Sequence, residues 1–188
     1  MRGEHMRWEQ LFDDLEAQLQ AAEQRAHGLE VADRTRRERS RVGLAERLLG
    51  QRAGQVQLVL RGGYEVVGPV VDVGDGWVLI RGERRTAALV PLAAVELARG
   101  LTAATAAGSS VARAKRFGLG FALRALSRDR ATVVLGTVGG RWLTGTIDAV
   151  GADWIELAEH PEDLPRRDRN VVAATVVAMD AMAVARSR

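Results

Sequence analysis

Apolar residues recur at spacings of three and four through residues 7–49, where Leu11, Leu15, Leu19, Ala22, Ala26 and Leu29 share one stripe beside Trp8 and Phe12. That period predicts helix. After Gly28 the stripe changes phase to Val31, Thr35, Val42, Ala45 and Leu49, so the expectation is one long helix kinked near Gly28, or a helical hairpin. Acidic residues open the segment and arginines close it, which suits the helix macrodipole. Gly50 to Gly54 ends the helix, and the period then switches to two. Val56, Leu58 and Leu60 alternate with Gln57, Val59 and Arg61, which predicts a half-buried strand. Gly62-Gly63 reads as a two-residue hairpin turn, because glycine accepts positive φ. The next strand, Tyr64 to Val73, carries Gly68-Pro69, a bulge or sharp bend. Further strands are predicted at Trp77–Arg81, Thr86–Val90 and Val95–Ala98, with Pro91-Leu92-Ala93 a tight connection between the last two.

The pattern is written twice. Shifted by 77 residues, Val56–Ile80 falls without a gap on Val133–Leu157. Gly62-Gly63 meets Gly139-Gly140, Gly68 meets Gly145, Val73-Gly74 meets Val150-Gly151, and Trp77 meets Trp154. Upstream, Gly43, Ala45, Arg47 and Leu49 meet Gly120, Ala122, Arg124 and Leu126. Glycines and tryptophans in phase at a fixed offset mark an internal duplication. Between the copies, residues 101–110 read as a linker and 111–128 as a second helix, with Leu119, Leu123 and Leu126 on one face. The second copy differs mainly by a longer loop, Glu159–Arg169, about five residues longer than its counterpart. The expected fold is therefore α+β. It has a long N-terminal helix or hairpin (7–49), a first small five-stranded β-barrel (50–100), the linker and second helix, and a second small β-barrel (129–182). A barrel of this size buries little of its surface and is marginal alone, so the copies are expected to pack with the second helix between them.

A helix followed by five short bent strands, with V-x-L before G-G, a glycine midway along strand two and V-G-x-x-W-[VI]-x-L, resembles the Sm-like fold. That is the small barrel of bacterial and eukaryotic RNA-binding ring proteins. The resemblance implies tandem small barrels and association with RNA. The family's RNA-site residues do not carry over. Its strand-two loop runs from an aspartate to an asparagine, whereas here Asp72 is followed by Asp75 and Gly76, and Asp148 by Ala152 and Asp153. Its basic-glycine step between the last two strands is replaced by Pro91-Leu92-Ala93 and Ala174-Thr175, and Arg81-Gly82 lies one loop too early. The layout is also similar to uncharacterised proteins of high-GC bacteria sometimes labelled Fis-like regulators, although no helix-turn-helix pattern is present.

Composition narrows the classes. Hydrophobic residues make up 47% and charged residues 27%, an ordinary globular balance, with a net charge of +3. Lys115 is the lone lysine among 27 basic residues. The chain has no cysteine, which excludes disulfides, thiol catalysis and cysteine-type zinc sites and suits a reducing cytoplasm. No apolar run reaches the ~18 residues of a membrane helix. Met6 offers an alternative start, and residues 1–5 are set aside.

No catalytic constellation can be assembled. His5, His27 and His160 share no metal-ligand spacing, and no P-loop, dinucleotide fingerprint or nucleophile elbow occurs. Glu162, Asp163 and Asp168 lie among Arg166, Arg167 and Arg169, which predicts a salt-bridged loop rather than a cation site. The expectation is a non-enzyme without cofactor, metal or small-molecule substrate. Contacts to nucleic acid or a partner are assigned to Arg34, Arg36, Arg37, Arg39 and Arg41 on the first helix, to Arg81, Arg84 and Arg85, to Arg113, Lys115 and Arg116, and to Trp142. Phosphate contacts would dominate, with weak sequence preference. Trp142, whose repeat counterpart is Glu65, either covers a contact between the copies or offers a stacking platform to a base. Trp77 and Trp154 are expected to fill or cap the two cores. The expected function is a cytoplasmic, regulatory, nucleic-acid-associated binding protein. The alternative is a protein–protein adaptor or self-assembling scaffold, in which the N-terminal helix docks a partner or forms a coiled coil and the barrels are structural.

Overall fold

The computed structural model describes Gln20, His27, Glu30, Val31 and residues 33–51, 54–82, 86–106 and 108–187. The chain divides into two compact units, Met1–Val42 and Gly43–Arg188. Most of the first helical stripe, with its kink at Gly28, lies outside the described residues. Within them, the long helix to residue 49 is not what the chain forms. Residues 33–40 are helical, Arg41 turns, and a separate six-residue helix α1 (Leu44–Leu49) begins after Gly43. Gly43 takes an extended backbone, φ −79° and ψ 166°, and its N–H donates to the Glu46 carboxylate at 3.0 Å. Gly43 has no side chain to return the bond, so the cap is one-sided, and it marks the start of α1. The described residues thus carry no long helix suited to a coiled coil.

The second unit is one antiparallel sheet of ten strands, not two closed barrels. In chain order these are β1 (Gln55–Leu60), β2 (Tyr64–Gly74), β3 (Trp77–Arg81), β4 (Ala87–Pro91), β5 (Val95–Arg99), β6 (Thr132–Thr137), β7 (Trp142–Val150), β8 (Trp154–Glu159), β9 (Ala173–Ala178) and β10 (Met182–Ser187). They lie side by side as β5-β1-β2-β3-β4-β10-β6-β7-β8-β9. Neither fifth strand closes on its own fourth. Instead β10, the fifth strand of the second copy, pairs with β4 of the first, placing Ala185 opposite Leu89 and Ser187 opposite Ala87.

Both copies nevertheless have the same internal pairing. Val56 opposite Gly68 becomes Val133 opposite Gly145, and Val70 opposite Ile80 becomes Ile147 opposite Leu157. The bulges after Val70 and Ile147 also coincide, as does the slip in both fifth-strand pairings. The offset changes only after the third strand. Trp77 opposite Pro91 becomes Trp154 opposite Ala178, so the second copy's loop is ten residues longer, not five. The first hairpin is closed by three residues, Arg61-Gly62-Gly63, rather than two, because Leu60 faces Tyr64. The second helix is likewise split. Helix α2 (Gly108–Ala114) ends in a turn, and α3 (Leu119–Arg128) begins after Gly118. The break frees the Phe117 carbonyl, which accepts from Asp75 N–H at 2.9 Å and from the Trp77 indole at 2.8 Å.

Two cores form, and each borrows from the other copy. Leu48 and Leu49 of α1 pack with Val56, Leu58, Leu60, Val70 and Ile80, joined by Ala183 and Val184 of β10. Leu123 of α3 packs with Val133, Leu135, Ile147, Ile155 and Leu157, joined by Trp77 and Leu89 of the first copy. Alternation along a strand explains the exchange. On β4, Ala88 and Val90 enter the first core while Leu89, between them, enters the second.

Candidate functional site

The two first hairpins meet at their tips, where a tyrosine of one copy and a tryptophan of the other form a ring pair. A Cβ built on Gly62 would stand 2.6 Å from the Thr137 carbonyl and 3.1 Å from the Gly140 amide. Tyr64 begins β2 directly behind this contact. Its ring is buried, its hydroxyl donates to the Arg141 carbonyl at 2.9 Å, and its centroid lies 4.5 Å from that of Trp142 in an edge-on arrangement. The Trp142 side chain remains 46% exposed. The Arg186 guanidinium sits 5.3 Å from its ring centroid and donates to the Glu65 carbonyl at 2.9 Å. Arg61 and Arg141 are exposed on the two turns, and Arg61 also donates to the Ala93 carbonyl. The arrangement places the Arg186 guanidinium beside a half-exposed indole, a pairing that can meet a flat anion by stacking and charge.

Trp142 thus contacts Tyr64 of the first copy and keeps an exposed face. Tyr64, Arg141, Arg61 and Arg186 were not singled out from the sequence. One signal pointed there. Gly136 stands in β6 where the first copy has Val59, and a Cβ on it would lie 2.9 Å from the Tyr64 ring and 3.0 Å from Val184. A glycine inside a strand marks a close approach. Restoring the first copy's residue with Gly136→Val is expected to cost about 1–3 kcal/mol by overpacking. Chemical denaturation would measure it, and an unchanged midpoint would show that the ring does not lie on this backbone.

The other assigned residues are scattered. Arg34, Arg36, Arg37, Arg39 and Arg41 are exposed in the first unit, where Arg34 pairs with Glu38 at 3.2 Å and Arg36 with Asp33 at 2.5 Å. Those pairs offset part of the basic stripe's charge. Arg81 is exposed at the end of β3, and Arg84 and Arg85 lie outside the described residues. Arg113, Lys115 and Arg116 are exposed on α2 and the turn after it. These residues and Trp142 belong to separate segments of the chain.

The carboxylate loop is held by arginine, as its composition suggests. Arg166 forks onto Asp148 at 2.6 and 3.1 Å and reaches Asp168 at 2.8 Å. Hydrogen bonding to Asp148, then to Asp168, holds the guanidinium above its ordinary pKa. No group of three or more potential metal ligands occurs among the described residues. His160, 2% exposed, is fully occupied: the Pro161 carbonyl can only accept, so Nδ1 donates to it at 2.8 Å. Nε2 then accepts from the Thr146 hydroxyl at 2.9 Å.

The two repeat tryptophans are not equivalent. Trp77 is 6% exposed and capped by Phe117, whereas Trp154 is 37% exposed, so of the two expected roles, filling or capping a core, it does not fill one. Both indoles lie on a glycine of the preceding turn, and a Cβ on Gly74 or Gly151 would come within 2.1 or 2.4 Å of the ring. The difference is the segment before α3, which covers the first tryptophan. An apolar groove of about 350 Å³ runs where α3 meets β3 and β4, lined by Leu79, Leu89, Phe117, Phe121 and Leu126. None of the described helices is long and apolar enough to cross a membrane. Neither protein-family models nor curated proteins give a match to this chain.

Proposed function

We propose that the protein is a non-enzymatic binding protein that associates with nucleic acid, acting in the cytoplasm in a regulatory role. One observation carries the reading: the half-exposed Trp142 ring at the joined hairpin tips, with Arg186 5.3 Å from its centroid and Arg61 and Arg141 exposed on the two turns. Base stacking contributes about 1–3 kcal/mol per base and tolerates any base, while guanidinium groups supply the phosphate contacts. Sequence preference is accordingly weak. The absence of a catalytic constellation in the sequence supports a binding role. The adaptor alternative rested on the N-terminal helix, most of which lies outside the described residues.

The test is fluorescence anisotropy with a labelled single-stranded oligonucleotide at low salt. Wild type is expected to bind, with affinity falling steeply as salt rises. Trp142→Ala is expected to weaken binding roughly 5- to 100-fold, and Arg141→Gln to flatten the salt dependence. Undetectable binding at low salt, or full affinity in the Trp142 variant, overturns the proposal.

A further inference from the structure

The groove beside α3 exists because the two copies are joined. Its floor is a row of side chains across three strands, since Leu79 of β3 faces Leu89 of β4 and Leu89 faces Ala185 of β10. Ala87 and Ser187 extend the floor by one more pair. Its wall is α3. Phe121 and Ala125, with Asp129 at the helix end, recur at a spacing of four and so share one face, beside the face whose Leu123 fills the second core. Alanine at 87, 125 and 185 leaves the space between wall and floor open. Successive residues of β10 face opposite sides of the sheet, so Ala185 and Ser187 border the groove while Arg186, between them, lies by Trp142. The groove is thus a separate site from the hairpin tips.

The two ends of the groove differ in chemistry. One is aromatic. Trp77 lies in the lining, and the Phe117 and Phe121 rings pack 4.5 Å apart while staying 39% and 48% exposed. Large rings left open to water beside a concave apolar surface mark a binding site. The other end is anionic. Asp129 caps the C-terminus of α3, where the helix dipole presents its negative pole. The helix disfavours a carboxylate there, and helix and carboxylate together favour a cation. Among the described residues the charged members of the lining are Asp72 and Asp129, with no basic side chain. Asp72 already accepts from the Val73 N–H at 3.0 Å. Arg128 and Arg130 flank Asp129 in the chain but do not line the groove, and Arg130 reaches Asp148 at 3.8 Å. Eight residues of helix separate Phe121 from Asp129, about 12 Å. The volume of about 350 Å³ falls within the range of small-molecule sites.

We propose that this groove binds a small arylalkylammonium ion. Its aromatic body sits against Trp77, Phe117 and Phe121, and its ammonium reaches the Asp129 carboxylate at the end of α3. Burial of the ring against the apolar floor supplies most of the affinity. The charge at the helix end sets which way round the ligand lies and rejects anions of the same shape.

Calorimetric titration of the full chain with phenylbutylamine, and with phenylbutyrate as its anionic match, tests this. The amine is expected to saturate one site and to bind roughly 10-fold more tightly than the acid. Asp129→Asn is expected to weaken the amine roughly 3- to 5-fold without weakening the acid, so the preference narrows. Ala125→Leu fills the groove from a position outside both cores and is expected to abolish binding of either probe. Circular dichroism checks that both variants fold. An amine that does not saturate at millimolar concentration overturns the proposal. So does equal affinity for the two probes, or full amine affinity in either variant. A mass above the 20.4 kDa monomer that Phe121→Ser abolishes would assign the groove to a second copy and overturns it too.

Discussion

Gly145→Ala is expected to be among the most damaging single substitutions in the sheet. A Cβ there would lie 2.1 Å from the Ala158 carbonyl oxygen, 2.8 Å from its carbon and 2.9 Å from the Glu159 Cα. All three are backbone atoms of β8, which pairs with β7 at this point. No rotamer change relieves the clash, so the two strands must part. Overpacking against a yielding side chain costs about 1–3 kcal/mol, and against fixed backbone the upper end applies. At roughly 2–4 °C per kcal/mol for a chain of this size, the melting temperature should drop by about 6–12 °C. Gly68, its counterpart, is tighter still, with a Cβ 1.9 Å from the Arg81 carbonyl oxygen, and should respond as strongly. Scanning calorimetry on both variants settles it, and a drop under about 2 °C in either would contradict the close strand approach.

The second large effect is a contrast between the repeat tryptophans. Trp77→Ala removes a buried ring from the core that also holds Leu89 and Leu123, and it leaves the Phe117 carbonyl without its indole donor. Large-to-small changes at such sites cost about 3–5 kcal/mol. Trp154→Ala removes the same side chain from a position 37% exposed, with less packing to lose, and should cost less than half as much. Measured by denaturation at a concentration where the chain is monomeric, equal losses would refute the view that the copies differ in what covers them. The ratio is more informative than either value, because the residue type and the repeat position are held constant.

Much of the sheet was legible because duplication repeats local chemistry. The glycine bends, the tryptophan turns and the first three strands of each copy all follow from one offset. Closure was not legible. Five strands with a bent second strand are compatible with the fifth strand returning to its own fourth or pairing elsewhere. Which occurs depends on whether another edge of matching burial is at hand, and no residue in β5 encodes that. The end of the second copy was misjudged for a related reason: Val171–Ala178 reads as two short strands, 171–174 and 176–178, before a polar tail, whereas it holds the single strand β9, and the fifth strand is β10 at Met182–Ser187. The split of the second helix turned on the Phe117 carbonyl, whose partners lie some forty residues away in the chain. At the hairpin tips, Trp142 was visible as a residue unconstrained by the repeat, but the tyrosine and arginine around it converge from strands that only the fold brings together.

The pairing of β4 with β10 also bears on how the chain is made. Leu89 emerges from the ribosome long before Ala185, the residue that will lie opposite it. At about 5–20 residues per second, the nascent first copy waits seconds to tens of seconds with that flank unclaimed. Slow decoding before β6 lengthens the time for which that flank stays unclaimed.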